Sequence, residues 1–113
     1  MIVNLTPHAI VVICQSAYRN PLTSVTFPPS GNVARVETSS ECQGWLMEDG
    51  VPIPLYRTEL GSVIDLPSPQ DGTMLIVSSI VKGKHPRRDD LLSPYGLVRD
   101  EEGNVIGCQG LSR

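Results

Sequence analysis

The chain has 113 residues, of which 40% are hydrophobic and 19% charged, with a formal net charge of −3. That length fits one domain, residues 1–113, able to bury roughly two-thirds of its unfolded surface without a metal or disulfide staple. Net acidity argues against sequence-independent coating of long nucleic acid. No apolar run approaches the roughly 20 residues of a membrane span, and the start, Met-Ile-Val-Asn-Leu-Thr-Pro-His8, lacks the basic region and cleavage site of a signal peptide. A cytoplasmic domain is the expectation.

Glycine and proline supply 20 residues, and the longest stretch free of both runs from His8 to Asn20, leaving room for at most one or two short helices. Ala9–Cys14 is a continuous apolar run, predicted as a strand buried on both faces. Ser24–Phe27 alternates and is stopped by Pro28-Pro-Ser-Gly31. Val33–Thr38 reads as the next strand, with Ala34 and Val36 on one face and Arg35 on the other. Val51–Tyr56 is a weaker strand, assigned to an edge because Pro52 and Pro54 cannot donate to a ladder. Leu66–Gly72 is a turn-rich connection, and Thr73–Ser79 is the best strand signal in the chain. For Ser79–Lys84 the pattern leaves a strand continuation and one helical turn both open. Gly96–Arg99 and Asn104–Cys108 flank Asp100–Gly103 as a hairpin. Seven or so short strands make the fold mainly β, a small β-sandwich or partly open β-barrel.

Charge is unevenly placed. Residues 1–36 contain no acid, residues 37–71 hold seven acids against Arg57 alone, and Lys82–Arg88 packs four bases and His85 into seven positions. A basic cluster within an acidic chain suits a small anion better than a polyanion, although a solvated loop has the same composition. Cys14, Cys42 and Cys108 have no paired metal-ligand spacing and are read as buried thiols acting as small hydrophobes. Asp89 and Asp90 are neighbours whose side chains point apart on an extended chain, so no metal and no cofactor is expected.

The candidate ligand-binding residues are Asn4, Thr6, His8, Arg35, Ser78, Arg88, Asp89 and Arg99. Arginine offers a rigid fork of donors matching phosphate or carboxylate, and aspartate accepts from a ribose hydroxyl or a base amino group. The same residues also have structural readings: Asn4 and Thr6 as turn formers, His8 at a strand start, Arg35 as an exposed edge arginine or paired with Glu37 or Glu41, and the Arg88 loop pinned by its own acids. Nucleophile elbows, dinucleotide fingerprints and phosphate loops are lacking, and no catalytic residue is assigned. Five aromatic residues are poor equipment for single-stranded nucleic acid; Tyr18, Trp45, Tyr56 or Tyr95 could stack on one isolated base, and Trp45 reads first as a core or rim anchor.

Asn4-Leu-Thr-Pro-His8 is followed in order by Pro29-Ser-Gly31, Ala34-Arg-Val36, Leu66-Pro-x-Pro69 and Gly72-Thr-x-Leu-Ile-Val-Ser78. Arg88-Asp-Asp90 with Pro94, then Val98-Arg-Asp-Glu-x-Gly103 running to Ile106-Gly-Cys108, complete the series. In this the chain resembles a group of small, largely uncharacterised proteins of tailed phages, prophages and bacterial genomes. The resemblance spans nearly the whole chain, loosely over 37–65, and leaves out Lys82–Arg87. It implies a phage or mobile-element origin and expression in a bacterial host cytoplasm. By analogy with small phage proteins it implies an anti-defence role: a sponge, alone or as a homo-oligomer, that sequesters a cyclic or ADP-ribose-derived nucleotide signal without cleaving it. The alternatives are a structural or protein-interaction module using the acidic 37–71 region, and a small phosphodiesterase or other hydrolase with His8 as acid–base.

Overall fold

The computed structural model describes the backbone of residues 1–16 and 19–113, and the side chains outside 15–23. The elements in chain order are β1 (Ile2–Asn4), β2 (Ile10–Ser16), β3 (Arg19–Phe27), β4 (Arg35–Glu48), β5 (Val51–Ile64), β6 (Met74–Ile76), α1 (Ser79–Lys84), β7 (Leu91–Arg99) and β8 (Val105–Ser112). The fold is mainly β, with one short helix among the described residues.

Six strands form one curled, nearly closed sheet in the order β1-β6-β7-β8-β2-β3. It is mixed: β1–β6, β6–β7 and β8–β2 are parallel, whereas β7–β8 and β2–β3 are antiparallel. The remaining strands, β4 and β5, pair only with each other, as a hairpin arm from Arg35↔Ile64 at its root to Glu48↔Val51 at its tip. The core lies where arm and sheet meet. Leu5, Ala34, Leu75, Val77, Val81 and Leu91 are buried together, with Val36 and Val63 of the arm's root packed against them.

Local chemistry accounts for the boundaries. Pro28 and Pro29 end β3, and Gly31 at φ +97° makes the bend that returns the chain to Ala34. Asp49 and Gly50, both at positive φ, form the two-residue loop at the arm's tip, as the twist of a hairpin requires. After β6, Ser78 stays extended and its hydroxyl accepts from the Val81 amide at 3.3 Å, so residues 79–84 become one capped helix. Val81 is its buried anchor, and Lys82 and Lys84 sit in the last turn, where the helix dipole favours positive charge.

Several predicted features change. Of the predicted Ala9–Cys14 strand, Ile10–Cys14 belong to β2, yet only Val12 among them is buried, so the strand is not covered on both faces. Thr73–Ser79 shrinks to three strand residues because the cap at Ser78 redirects the chain. Of the thiols read as buried, only Cys108 is; Cys14 and Cys42 are exposed, Cys42 because it lies on the free-standing arm. Trp45 is likewise no core anchor, being 63% exposed on β4.

Candidate functional site

An open hollow of about 700 Å³ lies beside the core, at the root of the arm. Val3, Leu5 and Leu75 give it an apolar floor. Its polar groups come from three connections: Asn32 before β4, Asp65, Ser68 and Gln70 after β5, and Asp90 before β7. Arg35, the first residue of β4, completes the wall.

Arg35 enters the cavity because Ala34 turns inward to the core, which directs its neighbour outward. Its guanidinium is exposed and makes no hydrogen bond or ion pair with any described residue; the pairing with Glu37 or Glu41 anticipated from the sequence does not occur. Asp65 follows Ile64, the register partner of Arg35, and its φ of +59° swings the chain into the Leu66–Gln70 wall. Arginine and an acid therefore flank one rim. Asp90 is already committed, because its two carboxylate oxygens accept from Arg88 Nε at 2.9 Å and Nη2 at 2.7 Å. That bidentate contact holds the Asp90 carboxyl below its ordinary value of 3.8, against a smaller opposing effect of burial.

Of the eight residues singled out from the sequence, the cavity gathers only Arg35, with Arg88 reaching it through Asp90. Asn4 is 2% exposed and acts as a backbone clamp. Its amide nitrogen donates to the carbonyls of His8 (2.8 Å) and Phe27 (2.9 Å), and its oxygen accepts from the Thr6 amide (2.9 Å). The Thr6 hydroxyl lies 2.7 Å from that oxygen and 2.9 Å from the His8 carbonyl, its single proton serving one at a time. His8 contributes its carbonyl while its residue surface is exposed, and Ser78 is the helix cap. Asp89 is exposed and has no hydrogen-bond partner among the described residues. Arg99 donates to the Gly103 carbonyl at 2.7 Å, closing the β7–β8 turn. It lies nine residues along β7 from Asp90, about 30 Å of extended chain.

Sequence reasoning missed Asp65, Asn32, Ser68 and Gln70. The Leu66-Pro-Ser-Pro stretch carried the signal: a proline-rich connection is rigid, and rigid connections are where polar side chains hold a fixed position. Tyr18, named above for stacking, lies outside the described residues; Trp45, Tyr56 and Tyr95 are exposed and do not line this cavity. Among the described residues no three His, Cys, Asp or Glu side chains gather as a metal site, and no helix is long and apolar enough to cross a membrane. Comparison with protein-family models, with curated proteins and with solved structures gives no match. Fold and site thus define a small mainly-β protein with an open polar-rimmed cavity and a projecting hairpin arm.

Proposed function

We propose that the protein is a phage-derived binder of a small anionic ligand, a sponge that holds a nucleotide-type signal in the Arg35 cavity without cleaving it. The observation that carries this reading is the uncommitted Arg35 guanidinium on a cavity of about 700 Å³, within the usual range for small-molecule sites. A guanidinium matches phosphate oxygens in a fork, and Asp65 on the same rim accepts from hydroxyl or amino groups. A ligand bearing both, such as an ADP-ribose derivative or a cyclic nucleotide, satisfies both. Sequestration fits better than hydrolysis because, of the two carboxylates lining the cavity, Asp90 is tied to Arg88 and Asp65 has no histidine, cysteine or lysine in the lining to act with. The phage origin and anti-defence role rest on the sequence resemblance.

The test is a thermal-shift panel of cyclic dinucleotides, cyclic oligonucleotides and ADP-ribose derivatives, followed by heat release and chromatography of any ligand that shifts the melt. A raised melting temperature with intact ligand recovered is expected, because binding to the native state alone stabilises it. Recovery of a converted ligand would make the protein an enzyme, and no shift across the panel would remove the small-ligand reading. A second reading, a protein-interaction module, is favoured by the apolar arm.

A further inference from the structure

The β4–β5 arm has no second layer, and the exposed apolar residues on it include Trp45, Leu46, Met47, Ile53, Leu55 and Tyr56. A two-stranded ribbon alone in water is at best marginal, so the arm calls for a cover. Directly paired residues of an antiparallel ladder share a face, and the register of β4 on β5 sorts the arm's two faces. One carries the pairs Ser39/Glu59, Glu41/Arg57, Gly44/Leu55, Leu46/Ile53 and Glu48/Val51, with four charges among ten residues. The other carries Thr38/Leu60, Ser40/Thr58, Cys42/Tyr56, Trp45/Pro54 and Met47/Pro52, with no charge in any of its five rows. The β-bulge between Cys42 and Gly44 is what keeps this sorting clean across the strand.

We infer that the charge-free face of the arm packs against the same face of a second copy of this chain, the two arms lying antiparallel about a two-fold axis. Three features select that occupant. A face with no charge meets itself without like-charge repulsion, as the self-complementary patch of a two-fold interface must. Edge-to-edge pairing along the tip end of β5 is disfavoured at Pro52 and Pro54, which have no N–H to donate to an added strand, and this favours contact through the face there. Charge completes the fit. Residues 35–64 hold five acids and two arginines and so account for the whole net −3, with Glu48 and Asp49 at the tip. The root of the arm packs beside α1, where Lys84 and Arg87 are exposed and have no hydrogen-bond partner among the described residues. Antiparallel overlay brings each acidic tip to the partner's basic root.

The axis passes near the central row, Cys42/Tyr56, so the two Cys42 thiols face one another. This inference goes beyond the cavity reading and does not depend on it. The test is light scattering after size exclusion at tens of micromolar, together with cross-linking by a short bismaleimide. A dimer is expected, with a covalent dimer that disappears in Cys42→Ser even though Cys14 is also exposed. Trp45→Glu on the charge-free face should give a folded monomer whose melting temperature no longer rises with protein concentration, with Tyr56→Ser as the second variant should that one fail to fold. Leu46→Glu on the opposite face should leave the dimer. A monomeric wild type, a dimer that survives Trp45→Glu and Tyr56→Ser, or cross-linking that survives Cys42→Ser would overturn the inference; the first outcome would leave the arm to a different protein.

Discussion

Asn4 shows how a polar residue that reads as a ligand group can be spent inside the fold. Both amide hydrogens and the carbonyl oxygen are used, tying the His8 turn to the end of β3. Asn4→Ala leaves those buried groups without partners and should cost about 3 kcal/mol in urea unfolding, whereas His8→Ala, which removes only an exposed ring, should stay within about 0.5 kcal/mol. Equal effects of the two would refute the clamp. The Asn-Leu-Thr-Pro-His pattern made these residues conspicuous, but the same side chains serve turns and ligands alike, so one strand of sequence could not decide their role. The Arg88–Asp90 pair was legible as an alternative, since two acids beside an arginine can neutralise it.

That pair also gives the molecule a pH signature. The folded Asp90 carboxyl lies below its ordinary value, so its contribution is fully present above the unfolded pKa of about 3.9 and is lost as pH falls through the folded value. Arg88→Ala should therefore be less stable than the wild type by about 1–2 kcal/mol across pH 5–8, with the gap closing below about pH 4. A gap that instead widens on acidification would show that the pair does not hold the loop.

At the scale of elements, the parallel contact of β2 with β8 depends on close approach at Gly107. A Cβ there would lie 2.7 Å from the Val11 carbonyl oxygen and 3.0 Å from Ile13 Cδ1, and backbone cannot give way as a side-chain tip can. Gly107→Ala should destabilise by about 2 kcal/mol, read as a lowered denaturant midpoint, while Gly83→Ala, with open space around its Cβ position, should not. Strand identity was well marked: proline and glycine punctuated the chain, and the Asp100–Gly103 hairpin and the edge character of Val51–Tyr56 emerge as read. Strand length was not. The arm's middle is polar, and between there and the acidic tip apolar residues fall on both faces, so neither periodicity stands out and residues 39–50 show no element in the sequence. The Asp49-Gly50 dipeptide between Met47 and Val51 was the available signal, since it is a strong short-range hairpin marker.

The whole molecule measures 59 × 40 × 24 Å, with a radius of gyration of 18.3 Å where a compact domain of this length has about 13 Å. The excess belongs to the arm, which no composition argument could foresee because apolar content does not say which residues stay uncovered. Sheet and arm meet at one place, and that place holds both the core and the cavity: Ala34 and Val36 face inward while Arg35 between them faces the hollow. The alternation legible in Ala34-Arg-Val36 is the one the strand adopts, and Arg35 is the one candidate whose side chain remains uncommitted at the cavity. What the sequence could not supply was its neighbour Asp65, thirty positions away in the chain and brought alongside only by the hairpin register.

Calorimetric titration of ADP-ribose, and then of a cyclic dinucleotide, into wild type and Arg35→Ala tests the central claim most directly. Saturable heat at one site per chain is expected for at least one of the two probes, weakened at least tenfold in Arg35→Ala with the melt of the free variant unchanged, which corresponds to about 1.4 kcal/mol or more. Absence of heat with both probes, or equal affinity in the two proteins, would contradict the Arg35 cavity as the binding site.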